Sequence, residues 1–203
     1  FLMRCVNFTG RKVRASGSLP EGQRFKSTFL TTNHNKYKMQ KKNPFYSIWA
    51  LFEYKEQKNL EILKKKININ LKGPNFPIHM TISAGFFGSK KKIIKKINSI
   101  IKKTNKFFIK VNDYGCKNKK FQSLYVNVKI NHNILLIKKN IDTLFNCKTN
   151  SFFPHISLFY GRKNYIEKKK IISDLPKLKK KIKITSLCLA LNNEKKLEWK
   201  IIK

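Results

Sequence analysis

The sequence predicts an α+β protein with two similar halves, and three observations predict it. Two strand-like runs, Pro77-Ile78-His79-Met80-Thr81 and Pro154-His155-Ile156-Ser157, each carry a histidine two residues before a small hydroxyl residue. Each run is flanked by segments with isoleucine or leucine at helical spacing. The chain has 203 residues, 41% of them hydrophobic, with sixteen phenylalanines, enough for one substantial core or two small lobes sharing one.

The elements follow in order. Phe45 to Phe52 reads as a strand, and the polar segment after it carries Leu60, Leu63 and Ile67 on one helical face. After Gly73-Pro74 comes the first histidine strand, with Ile78, Met80, Ile82, Ala84 and Phe86 on one side and His79, Thr81 and Ser83 on the other. Ile93, Ile94, Ile97, Ile100 and Ile101 mark one face of a helix whose other face is largely lysine. Strands near 107–111 and 121–130 precede a helix carrying Ile134, Leu135, Ile141, Leu144 and Phe145. The second histidine strand, Pro154 to Tyr160, stops at Gly161. A short helix near 164–173 and two strands, near 182–191 and 197–202, close the chain, with Asn192-Asn193 as the expected turn.

Residues 1–38 hold four of the five arginines and a single acidic residue, Glu21. They read as a leader outside the folded domain, either an organelle-targeting segment or translated sequence ahead of an initiator at Met39. The folded domain is expected over 39–203, cytoplasmic unless the leader directs it to an organelle.

The formal charge of +36 admits RNA or another polyanion as a partner. Lysine supplies 41 of the 46 basic residues and is scattered through every segment, which favours a generally solvated basic surface over one dedicated stripe. No apolar run reaches the roughly 18 residues of a membrane-spanning helix, so no membrane partner is expected. Cys5, Cys116, Cys147 and Cys188 show no CxxC spacing and pair with no histidine at metal-ligand spacing. No metal or other cofactor is expected, and free thiols are the default.

His79 and Thr81 share one strand face, as do His155 and Ser157, so the two pairs can converge across a cleft. Opening a phosphodiester without a metal needs a base for water, an acid for the departing oxygen, and donors for the nonbridging oxygens. Two imidazoles, each titrating near 6.5 when unperturbed, and two hydroxyls meet that need. His34, in the leader, and His132, between Asn131 and Asn133 where helix capping is the simplest role, stand outside the pattern.

These motifs resemble the two-histidine (2H) phosphoesterase superfamily and, within it, the plant and fungal cyclic nucleotide phosphodiesterases. Tyr46-Ser47-Ile48-Trp49-Ala50-Leu51, Gly73-Pro74, Phe76-Pro77, Phe121-Gln122, Phe145-Asn146-Cys147, Phe153 and Leu158-Phe159-Tyr160 carry the resemblance around the motifs, and Leu197-Glu198-Trp199 extends it. The resemblance implies a bilobal fold, two antiparallel sheets facing a central cleft with helices on the outer faces. It implies His79 and His155 as catalytic residues, provisionally acid and base respectively with the roles exchangeable, and Thr81 and Ser157 as substrate-binding hydroxyls. Tyr160 matches an aromatic lining the nucleoside side, although strand alternation puts it opposite Ser157 unless the chain bends at Gly161.

The expected activity is hydrolysis of a small cyclic-phosphate nucleotide, a 2',3'-cyclic nucleotide or the cyclic phosphate of ADP-ribose formed after tRNA splicing, by a monomer. An RNA-end 2',3'-cyclic phosphodiesterase or nuclease, and a noncatalytic basic RNA-binding protein, are the alternatives.

Overall fold

Strand alternation and helical spacing are realised nearly where the sequence places them, in a computed structural model that describes residues 45–147 and 152–202. Strand β1 is Phe45–Phe52 and helix α1 Tyr54–Leu71. They are followed by β2 (Met80–Phe86), α2 (Lys90–Lys103), β3 (Phe107–Cys116), β4 (Leu124–Val128), α3 (His132–Phe145), β5 (His155–Phe159), α4 (Tyr165–Ser173), β6 (Lys181–Asn193) and β7 (Glu198–Ile201). The leader, with His34 and Cys5, lies outside the described residues. Among the described residues no helix is long and apolar enough to cross a membrane.

The strands form one antiparallel sheet ordered β1-β2-β5-β4-β3-β6-β7, and a further β1–β6 pairing closes six of them into a ring. The two sheets expected from the sequence are therefore joined by hydrogen bonds, with the histidine strands β2 and β5 meeting at Met80 and Ile156. Ile78, Met80, Ile82, Ile156 and Leu158 are each at most 1% exposed in the core beneath the helices. Each such side chain contributes on the order of 2 kcal/mol relative to exposure, so the opposite face of these strands is fixed by a dense apolar anchor. The helix preceding each histidine strand packs on the other histidine strand, α1 against β5 and α3 against β2, which couples the halves.

Three expectations need correction. Ser83 does not share the face of His79 and Thr81. A register shift between Ile48 and Trp49 leaves Thr81 opposite Trp49 but Ser83 opposite Ile48, a bulge that sends Ser83 to the core side, where its hydroxyl donates to Asp142 Oδ1 at 2.6 Å. The last turn falls at 194–197 rather than at Asn192-Asn193. Asn192 is buried and its amide bonds the Phe45 carbonyl and Ser47 Oγ, while the Asn193 side chain accepts from Lys196 N–H inside the turn. At α3 the cap is Asn131, whose Oδ1 accepts from Ile134 N–H at 2.9 Å; His132 is only the first helical residue.

Candidate active site

The antiparallel register brings the two motifs together. Met80 faces Ile156, so the same register carried one residue each way sets His79 across from Ser157 and Thr81 across from His155. All four side chains lie on the sheet face opposite the core residues Met80 and Ile156. Both histidines stand at strand entries, one residue before β2 and at the first residue of β5.

Both rings are held alike. His79 Nδ1 lies 2.6 Å from the Pro77 carbonyl and His155 Nδ1 2.8 Å from the Phe153 carbonyl, each two residues upstream. A carbonyl only accepts, so each Nδ1 carries the hydrogen and the neutral ring has its lone pair on Nε2. The matching bonds extend to the surroundings: Lys64 Nζ of α1 stands 4.8 Å above the Phe76 ring and Lys138 Nζ of α3 4.9 Å above the Phe152 ring. Phe76 and Phe152 each precede their histidine by three residues, so a helix-aromatic-histidine-strand unit occurs twice.

The two imidazoles differ in environment. His79 is 3% exposed and stacks on the Trp49 indole, ring centroids 3.5 Å and planes 9° apart. Burial pushes its pKa down from 6.5 to about 3; the Pro77 carbonyl opposes the shift, and charge on His155 and Lys64 adds to it. His155 is less enclosed. Burial lowers its pKa too, while the carbonyls of Phe153 and Phe121 both favour its protonated ring and Lys117 disfavours it. His79 is thus the more firmly neutral of the two.

Tyr160 comes to the same side as Ser157. Strand β5 ends at Phe159, and its register on β4 slips between Ser157, which pairs with Tyr125, and Phe159, which pairs with Leu124, so the extra residue Leu158 turns the Tyr160 phenol to the Ser157 side. Burial raises the phenol to about 12, so it keeps its proton. Its ring stacks on Phe76 at 3.9 Å and meets Phe121 and Trp199 at 5.3 and 5.4 Å, an aromatic cluster beside Ser157.

Residues outside the two motifs complete the site. Trp49 pairs with Thr81 across β1–β2, and Tyr125 and Asn127 of β4 pair with Ser157 and His155. The Tyr125 ring sits edge-on to His155 at 5.4 Å. Strand alternation alone puts Trp49 and Tyr125 opposite their buried aliphatic neighbours, but which face is functional emerges only from the pairing. Among the described residues no carboxylate forms an ion pair with either imidazole, and no three His, Cys, Asp or Glu side chains cluster as metal ligands. The described cysteines, Cys116, Cys147 and Cys188, are free.

The fold is shared with solved phosphoesterase structures, and the paired motifs resemble those of the 2H phosphoesterase superfamily. The chain resembles that superfamily over most of its length, and by sequence it is similar to the cyclic phosphodiesterase of Arabidopsis thaliana, 22% identical over 170 residues, covering 79% of this chain and 94% of that protein. Two of the solved structures that share the fold are of Escherichia coli LigT. Escherichia coli LigT in its apo form superposes with a TM-score of 0.60 at 11% identity, covering 78% of this chain and 94% of LigT. LigT complexed with 3'-AMP gives 0.56 at 11% identity, covering 78% and 93%. No protein-family profile matches the chain.

Proposed function

We propose that the protein is a metal-independent phosphodiesterase that opens a 2',3'-cyclic nucleotide, or the cyclic phosphate of ADP-ribose, to a phosphomonoester. The observation that carries this reading is the register of β2 on β5, in which two imidazoles with matching Nδ1–carbonyl bonds stand beside two hydroxyls on one sheet face. The similarity to a plant cyclic phosphodiesterase and the LigT fold support it.

In this reading, Thr81 and Ser157 donate hydrogen bonds to the nonbridging phosphoryl oxygens, with the Ser157 hydroxyl oriented by Tyr160. One Nε2 takes a proton as the water oxygen bonds to phosphorus. The bond from phosphorus to one ribose oxygen then breaks, and the other ring protonates that oxygen. The ring strain and fixed alignment of a cyclic phosphate leave little beyond positioning for the protein to supply.

The microenvironments favour the exchange of roles that the family resemblance left open. His79, held neutral by burial, suits the base, and His155, faced by two carbonyls that stabilise its charged form, suits the acid. The substrate phosphate raises both pKa values on binding, and the ring needing the smaller change is His155. Phosphorus NMR of the products from a panel of cyclic phosphates, with and without chelator, tests the reading. A chelator-insensitive phosphomonoester product supports it; no turnover of any cyclic phosphate overturns it.

A further inference from the structure

The sheet face that carries the histidines does not end at them. Asn127 pairs with His155, and two residues on, about 7 Å along the strand direction, stands Lys129. Lys129 N–H bonds the Lys110 carbonyl on β3 at 2.8 Å, and Lys110 in turn faces Lys181 of β6 in the antiparallel register. Each of these strand-to-strand steps is about 5 Å. Phe107, Ile109, Val111, Val128, Ile182 and Ile184 are buried on the core side, so Lys110 and Lys181 project from the face that holds the site.

This arrangement is unfavourable as it stands. Like charges directly opposite one another across a strand pair repel, and none of the ion pairs among the described residues involves Lys110, Lys129 or Lys181. The three line a cavity of about 550 Å³ with Phe108, Ile130 and Asn131. An adjoining cavity of about 760 Å³ shares the same three lysines and adds Lys177 and Lys180. Phe108 is 58% exposed and Ile130 50%, apolar surface set among cations. Lysines that track a backbone beside an exposed aromatic on which a base can stack form the usual platform for a single strand.

We propose that Lys129, Lys110 and Lys181, with Phe108, form a tract that binds the strand of a single-stranded RNA whose cyclic-phosphate end lies between the two histidines. The inference rests on the phosphodiesterase reading for where the strand ends, and it makes an RNA end, rather than a mononucleotide, the better substrate. Each lysine meets one backbone phosphate upstream of the reacting one, and Phe108 takes a base.

The test compares the full chain with the variant K110E/K129E/K181E on a mononucleoside 2',3'-cyclic phosphate and on an RNA of about ten nucleotides carrying the same end. The variant is expected to lose about tenfold or more in kcat/KM on the RNA, keep its mononucleotide turnover within about twofold, and show a salt dependence of RNA affinity shallower by about two in log-log slope. K91E/K92E/K95E, on α2 at the core side of the sheet, supplies the equal change in net charge and is expected to leave the RNA-to-mononucleotide ratio unchanged. An unchanged ratio in the first variant, or an equal fall in both, overturns the tract.

If the wild-type chain turns over neither substrate, the phosphodiesterase reading fails. The tract is then decided by anisotropy with the same RNA bearing a 3'-phosphate: tenfold weaker binding in the first variant alone supports it, and equal binding overturns it. Stronger lysine-dependent binding to vesicles of phosphatidylserine and phosphatidylcholine than to the RNA also overturns it.

Discussion

The imidazole of His79 lies flat on the indole of Trp49, with ring centroids 3.5 Å and planes 9° apart. Trp49 reaches this position because the β1–β2 register sets it opposite Thr81, and its own strand face packs on Cys188 and Ala190 of β6. The stack and the Pro77 carbonyl together allow the ring one orientation.

Trp49→Leu removes the indole while keeping an apolar side chain. It is expected to lower kcat by about tenfold or more with a smaller change in KM, because a misplaced proton acceptor loses rate more than affinity. Water reaching the ring should move the His79 pKa up from about 3 towards 6.5. Both are measurable, the first by steady-state kinetics and the second by following the His79 Cε1 proton by NMR. Unchanged kcat would show that the stack does not position the base.

His79→Ala and His155→Ala are each expected to reduce kcat by about a thousandfold, within the span attributed to a general acid or base, and the double variant should lose little more than either single one. Thr81→Ala and Ser157→Ala should cost about tenfold to a hundredfold, as lost donors to the phosphoryl oxygens. Circular dichroism should show all four variants folded. Full activity in His155→Ala would remove the histidine pair from the mechanism.

The pH dependence of kcat/KM should be bell-shaped, with its maximum on the acid side of 6.5. The acid must be protonated in the free enzyme, and burial holds both imidazoles below their ordinary value. Bound phosphate favours the protonated ring, so the descending limb of kcat should lie at higher pH than that of kcat/KM. If His79 is the base, His79→Ala should erase the ascending limb and His155→Ala the descending one. The reverse pattern would restore the allocation that the family resemblance implied.

Much of this was readable in the sequence because it depends on short-range alternation. The buried faces of β2 and β5 are isoleucine, methionine and leucine, so the alternate positions had to carry His79, Thr81, His155 and Ser157 to the other side. Two features were not readable. Ser83 follows the same alternation as Thr81, and only the bulge against β1 turns it inward to Asp142. Tyr160 would fall opposite Ser157 in a regular strand, and only the register shift against β4 at Leu158 turns it to the Ser157 side. Contacts made across strands, Trp49 on His79 and Tyr125 beside His155, depend on pairing that no local pattern specifies.

Stability should fall with acid in a window that these histidines define. A depressed pKa means the unfolded chain binds protons that the folded chain refuses, so the neutral rings stabilise the fold above pH 6.5 and that contribution is lost as pH drops towards about 3. Each unit of depression corresponds to about 1.4 kcal/mol. Urea unfolding at about pH 7.5 and about pH 4.5 should therefore show a drop that His79→Gln, which does not titrate, largely removes. An equal drop in that variant would place the acid sensitivity elsewhere.

The two lysine-aromatic contacts behind the histidines can be separated by substitution. Lys64 donates to Asn75 Oδ1 at 2.9 Å and to the Phe76 carbonyl, which ties α1 to the segment entering His79. Lys138 instead bonds Asp142 Oδ2 at 2.8 Å on its own helix. Lys64→Met keeps the apolar stem but leaves the buried Phe76 carbonyl without this donor, a loss of about 1–3 kcal/mol. It also removes a cation that lowers the His79 pKa, so His79 should titrate higher while His155 stays where it is. Lys138→Met should leave the His79 titration in place, since Lys138 does not act on that ring. NMR titration of both histidines in the two variants checks this, and a His79 shift of the same size in each would mean that the segment is held by the fold as a whole and not by Lys64.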